Sequence, residues 1–258
     1  MALFNDGPIS GIGDLMNYEA SIPDVASTEG IDTATKLALA QEEIAAELLT
    51  FLLEREGGVW WETSGWSRRR ILGVSDVVVT DSLRRWHTLR TLAMIFHDAY
   101  DNQLNDRYQG KWQSYERLQN NAESAYLKIG VGMVAVPAPK PAPPILSTTA
   151  GPSAAGTYYF AMCWLTSNGE QGLCSDSGAI TLTANTQAVV SCGTAPQGVT
   201  AWNLYAAGEP ESLALQNSAP LSPADTWVQP LPLSPGPPPG NGQTPTRWAV
   251  DQHRLRRG

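Results

Sequence analysis

The chain has 258 residues, 42% apolar and 16% charged, with 25 acids against 17 lysines and arginines for a net charge of −8. That length fits one large domain or two small ones, and apolar content near normal with nine tryptophans excludes a disordered chain, although charged residues fall below the roughly 25% usual in globular proteins. A mean hydropathy of −0.21 and the lack of any apolar run near about 20 residues exclude a membrane span; the start, MALFNDGPISGIGDLM, lacks the basic lead and apolar stretch of a secretory signal, so folding in a reducing cytoplasm is expected.

In chain order, a short helix is predicted over residues 14–18. Leu37, Gln41, Ile44, Leu48 and Phe51 then step by helical intervals, giving an apolar stripe with one polar member, beside the acids Glu42, Glu43 and Glu47. Asp32 is a suitable N-cap for this first long helix, and Gly57-Gly58 stops it. The following stretch, VWWETSGWSRRRILGVSDVVV, is rich in tryptophan and β-branched residues and reads as an extended loop or hairpin. A second helix starts at Thr80, with Asp81 in its first turn, and should bury Trp86, Leu89, Ala93, Phe96 and Tyr100. After DNQLND a third places Tyr108, Trp112, Tyr115, Leu118, Ala122 and Ala125 on one face. Three long amphipathic helices and a short one predict an antiparallel bundle.

Composition then changes. Residues 141–246 contain five acids and no lysine or arginine, residues 247–258 contain four arginines and one acid, and 17 of the 19 prolines lie at or after Pro137. The segment VPAPKPAPP is expected to be a semi-rigid spacer, because proline fixes φ and cannot continue a helix. The predicted divisions are therefore a helical domain over 1–136, a linker over 137–144, a β domain over 145–230, and a proline-rich spacer with a basic arm over 231–258. In GTYYFAMCWLT the period becomes two: Tyr158, Phe160, Met162 and Trp164 alternate with Tyr159, Ala161, Cys163 and Leu165, which suits a strand covered on both faces. Further strands are predicted near 179–183, 188–192, 200–206 and 213–217. Short strands with Gly, Pro, Asn and Ser turns indicate an antiparallel β-sandwich, so the expected class is α+β with two domains.

Catalytic motifs are lacking. His87 and His97 lie ten residues apart on one predicted helix, about 15 Å along its axis, and cannot share a metal there; both are read as packed or surface histidines. No HExxH, GxSxG or P-loop pattern occurs, and the GxG at Gly11–Gly13 lacks a preceding strand and a third glycine. Asp98, Asp101, Asn102, Asn105 and Asp106 lack the glycine and terminal glutamate of a calcium loop. Cys163, Cys174 and Cys192 show no CxxC spacing, which argues against a zinc site or disulfide framework; Cys163 and Cys174, symmetric about Asn168-Gly169, could face each other as thiols across a hairpin. Neither an enzyme nor a bound cofactor or metal is expected.

Two features stand out as interaction surfaces. Arg68, Arg69 and Arg70 are flanked by Trp60, Trp61 and Trp66; they form either a contact surface or a hairpin whose tryptophans cap the bundle while the arginines are solvated. The tail carries Trp248, His253, Arg254, Arg256 and Arg257 and reads as an arm reaching a partner, its plain alternative being a disordered terminus.

The helical half, with its acidic start DLMNYEASIPDVASTEGID, the helix KLALAQEEIAAELLTFLLE, the β-rich loop, and the helices TDSLRRWHTLRTLAMIFHDAYDN and DRYQGKWQSYERLQNNAESAY, resembles the head-to-tail connector, or neck adaptor, proteins of tailed bacteriophages. The half containing AGTYYFAMCWLTSNGEQGLCSDSGAITL and GVTAWNLYAAGEPESLALQ is similar to the immunoglobulin or fibronectin type III-like modules of phage neck and tail proteins. This resemblance implies a structural virion protein at the head–tail junction, made in the host cytoplasm and forming a ring, usually of twelve copies. The ring would lie under the portal, pass genomic DNA without sequence-specific binding, and receive a tail or stopper protein. It further implies that Trp248, His253, Arg254, Arg256 and Arg257 dock on the portal, and that Trp60, Trp61, Trp66 and Arg68–Arg70 serve intersubunit or tail contacts. Two other functions are weighed: a host-glycan-binding module using Trp202 or Trp227 as exposed tryptophans, and a nucleic-acid-binding regulator using the Arg68–Arg70 loop.

Overall fold

The computed structural model describes residues 1–56, 73–103 and 106–250. It is an α+β chain in which five helices are followed by antiparallel sheets. Two compact units are present, and they do not follow sequence order. One takes Gly7–Met133 with the chain from Pro245 on; the other takes Met1–Asp6 with Val134–Thr244. The chain thus passes between the units three times, and the change expected after residue 136 falls at Met133/Val134.

In the helical unit, α1 (Ile12–Tyr18), α2 (Ile22–Glu29), α3 (Thr33–Glu56), α4 (Asp81–Gln103) and α5 (Asp106–Ile129) follow in order. Asp32 caps α3 as predicted, accepting from the Ala34 amide at 3.0 Å and the Thr35 hydroxyl at 2.6 Å. The buried line of α3 is Ala40, Ile44, Leu48 and Leu52; the polar step, Gln41, binds the preceding segment, accepting from Ile9 N–H at 3.3 Å and donating to the Gly7 carbonyl at 3.2 Å. α2 was not expected from the sequence. It ends at Gly30, whose φ of 65° is one that glycine adopts without a Cβ penalty.

α4 packs against α1, α2, α3 and α5, and is therefore buried on most of its circumference rather than along one stripe. Leu83, Trp86, His87, Leu89, Thr91, Leu92, Ile95, Phe96 and Ala99 are all fully or almost fully buried. α5 turns inward most of the face predicted, rotated slightly so that Tyr126 replaces Ala125. Tyr108 and Tyr126 are buried and Trp112, Tyr115 and Ala122 half-buried, while Leu118 and Ala125 are exposed. Phe96 stacks on Tyr115 at 5.4 Å between centroids and Tyr100 on Trp112 at 5.7 Å, so the α4–α5 seam is largely aromatic. Two short strands complete this unit, β1 (Val131–Met133) and β9 (Arg247–Ala249), paired antiparallel.

The β unit holds β2 (Ile145–Ala150), β3 (Gly156–Thr166), β4 (Gly178–Leu182), β5 (Thr186–Ser191), β6 (Val199–Ala207), β7 (Ala214–Leu215) and β8 (Thr226–Val228). They form a three-stranded sheet, β2-β5-β8, and a four-stranded sheet, β4-β3-β6-β7, both antiparallel. One apolar cluster draws on both: Ala188, Val190 and Trp227 from the first, and Phe160, Met162, Trp164, Trp202 and Leu204 from the second. β3 spans the residues read for it and is buried on both faces from Phe160 to Thr166. The proline-rich segments are packed rather than free. The Ala138 amide, fully buried, donates to Gln243 Oε1 at 2.7 Å, Leu233 lies against the core, and the Leu215 amide donates to the Pro237 carbonyl at 3.0 Å.

Candidate assembly surfaces

Of the residues assigned to portal, intersubunit or tail contacts, Trp60, Trp61, Trp66, Arg68, Arg69 and Arg70, and His253, Arg254, Arg256 and Arg257, lie outside the described residues, as does the loop or hairpin expected over 59–79 up to residue 72; its last part forms a 3-10 turn at Val74–Asp76, and Val77 bridges Met133. Trp248 is described and is 51% exposed. It belongs to β9, which pairs Arg247 with Met133, Trp248 with Gly132 and Ala249 with Val131. Strand β1 is itself joined on its other side, where the Val78 amide donates to the Gly132 carbonyl at 2.9 Å. The proximal part of the expected arm is thus a strand of the helical unit.

Gly132 in β1 and Gly130 just before it make room for this strand. A Cβ on Gly132 would stand 2.9 Å from Pro245 and 3.3 Å from the Trp248 ring, and one on Gly130 would stand 2.7 Å from Val250. Trp248 and Val250, two residues apart on one strand face, therefore lie over bare backbone. Trp248, Val250 at 40% and Ile129 at 59% leave apolar surface exposed where the chain continues toward residue 251.

A second exposed surface runs along α3, where Leu39, Leu49 and Leu53 are 40, 44 and 52% exposed. Between α3 and α5, above α4, lies a groove of about 370 Å³ lined by Lys36, Leu39, Glu43, Arg90, Met94 and Trp112 among others. Its charges are paired internally: Arg90 donates to Glu43 at 2.8 Å and Glu47 at 2.7 Å, and Lys36 to Asp98. Burial, followed by the nearby Glu47, raises the Glu123 carboxyl above its ordinary value. Glu19, after α1, is lowered, first by its hydrogen bond from Lys111 of α5, which ties the α1–α2 corner to that helix.

One polar pair escaped the sequence reading because its members are 77 residues apart. Ser10 Oγ and His87 Nδ1 are 2.7 Å apart, and His87 Nε2 lies 3.0 Å from the Leu37 carbonyl. A carbonyl only accepts, so Nε2 carries the hydrogen and Nδ1 accepts from the hydroxyl. Burial lowers the His87 pKa and keeps the ring neutral. The geometry is that of a base beside a hydroxyl, but Ser10 and His87 are 3% and 0% exposed, so the pair ties the N-terminal segment to α4. His97 sits at the surface, edge-on to Trp112 at 4.8 Å and 3.5 Å from Asp101. Among the described residues no three His, Cys, Asp or Glu side chains converge as metal ligands; of the acidic cluster, Asp98, Asp101 and Asn102 engage Lys36, His97 and the Glu29 carbonyl, and Asn105 lies outside the described residues.

Trp202 and Trp227 are not exposed, which corrects their assignment to a glycan surface. Trp202 is fully buried on the inward face of β6, its indole N–H donating to the Ser222 carbonyl at 2.9 Å, and Trp227 is 9% exposed and packed edge-on to Phe160. Each fills the space between the two sheets, where an aromatic ring contributes most by burial. The Cys163 and Cys174 thiols do meet across the hairpin and are free; a hydrogen bond with Cys174, then burial, push the Cys163 thiol far above the ordinary range.

No protein-family model matches the chain, and no curated protein matches it in sequence.

Proposed function

We propose that this chain is a structural, non-enzymatic virion protein: a head-to-tail adaptor of a tailed bacteriophage. In this reading the helical unit is a bundle that packs beside its copies in a ring, of twelve by analogy, and the β unit is a sandwich of immunoglobulin or fibronectin type III type projecting from the ring. The observation that carries the reading is the helical unit itself. Two short helices, α1 and α2, and two long ones, α3 and α5, all pack on α4, with exposed leucines left on α3.

The return of β9 to β1 supports a portal contact from the same unit, since Arg254, Arg256 and Arg257 follow it within a few residues in the sequence. A basic peptide suits an acidic groove on a portal, where it can bury much surface for a small ordered core. The net charge of −8 suits a conduit that DNA passes through without being held. On this account the partners are further copies of the chain, the portal and a tail or stopper protein, with no membrane. Electron microscopy of purified neck particles tests the reading: density for both units is expected at the portal–tail junction, and its absence there rejects the proposal.

A further inference from the structure

α3 and α5 both back onto α4, and among the described residues each leaves a face that no other element covers. On α3 that face carries Leu39, Ala46, Leu49 and Leu53, spanning about 21 Å of helix, with Glu42 and Glu54 exposed beside it. Neither acid makes an ion pair among the described residues, whereas Glu43 and Glu47 are held by Arg90. On α5 the face turned away from the groove carries Leu118, Ala125 and Ile129, spanning about 16 Å, with Arg117 and Lys128 exposed beside it and likewise making no ion pair among the described residues.

Charge selects how these faces combine. α3 against α3 would set Glu42 and Glu54 near their own copies, and α5 against α5 would do the same with Arg117 and Lys128; juxtaposed like charges cost affinity and suppress a pairing. Laid on each other, the two faces match leucines with leucine, alanine and isoleucine, and carboxylates with cations. We infer that α3 of one copy docks on α5 of the next, a head-to-tail contact between copies of this chain. A contact between different faces does not use itself up, so it repeats around a ring when the rotation closes. This inference rests on the adaptor reading for its biological setting, but the contact is measurable without a phage.

Sedimentation of the full-length chain at rising concentration is the test, with circular dichroism as the check on folding. Wild type is expected to self-associate, and less so in high salt. Arg117→Glu with Lys128→Glu should weaken association by at least about tenfold, as should Glu42→Lys with Glu54→Lys, and all four changes together should restore it to within a few fold. Leu49→Gln with Leu53→Gln, at positions half in solvent, should also weaken it while leaving the helix content intact. A wild type that stays monomeric, association indifferent to both charge reversals, or a quadruple variant without rescue overturns the inference. The adaptor reading fails separately: a chain that associates with this charge pattern yet is missing from neck particles keeps the contact and loses the proposed function.

Discussion

His87 meets Ser10, the Leu37 carbonyl and, at longer range, Asp14, within a closed pocket that tolerates its neutral form. Because its folded pKa lies below the unfolded value of about 6.5, the unfolded chain binds more protons once the pH falls through that value. The stability it supports is therefore complete above about pH 6.5 and declines below, until the folded pKa is reached, at up to about 1.4 kcal/mol per pH unit. Urea unfolding of wild type and His87→Gln between pH 7.5 and 5 should show a stability gap that narrows on acidification; a gap independent of pH refutes this role. Trp86 and Tyr126 pose the opposite case. Their rings pack 5.8 Å apart, and neither the Trp86 N–H nor the Tyr126 hydroxyl has a hydrogen-bond partner among the described residues. A buried unsatisfied hydroxyl costs about 1–3 kcal/mol, so Tyr126→Phe should be neutral or stabilising by roughly 1 kcal/mol in thermal or urea melts. A loss above about 1 kcal/mol shows instead that the hydroxyl is satisfied.

At the scale of elements, local chemistry was legible and long-range pairing was not. Asp32, the stripe through Ile44 and Leu48, and the alternation in β3 all specify their element from neighbouring residues. The burial of α4 on most sides was hidden because Thr88 and Thr91 read as polar; each hydroxyl instead donates back to a carbonyl four residues earlier, at 2.8 and 2.9 Å, and is satisfied within the helix. The same reading placed Leu118 and Ala125 inward, although Tyr108 and Tyr126 set the buried face of α5. Of the residues assigned to portal, intersubunit or tail contacts, only Trp248 falls within the described residues, and its strand partner is more than a hundred residues away. β9 has three residues, too few for any period to register, and depends on glycines in another element. Gly130 has φ of 111°, and an added Cβ would meet Val250 at 2.7 Å, so Gly130→Ala should destabilise the ribbon by about 1–3 kcal/mol. Hydrogen exchange localises the effect: faster exchange in residues 131–133 is expected, and an unchanged rate there shows that β9 shifts without loss.

For the whole molecule, connectivity and physical partition disagree, and that disagreement can be tested by cutting. Residues 1–6 are part of the β unit: the Asp6 carboxylate accepts from the Lys140 amide at 2.7 Å, and Leu3 and Phe4 are buried. The chain after Thr244 is part of the helical unit, where β9 covers one side of β1 and the Thr246 amide donates to the Met133 carbonyl at 2.9 Å. A stop after Thr244 therefore removes a strand from the unit encoded first, although the cut lies next to the unit encoded second. It should expose Val131 and Met133, now fully or almost fully buried, and destabilise the helical unit while Phe160, Trp202 and Leu204 keep their protection. A stop after Val250 leaves β9 in place, so residues 131–133 should exchange as in wild type. The pair of truncations separates folding from docking: the longer chain should keep the β1–β9 pairing and, if the proposed portal contact is right, lose that contact alone, whereas the shorter should lose protection in β1 as well. Identical exchange in residues 131–133 for the two chains would mean that β9 adds nothing to the unit it joins, and the basic segment would then leave from a strand that is not anchored.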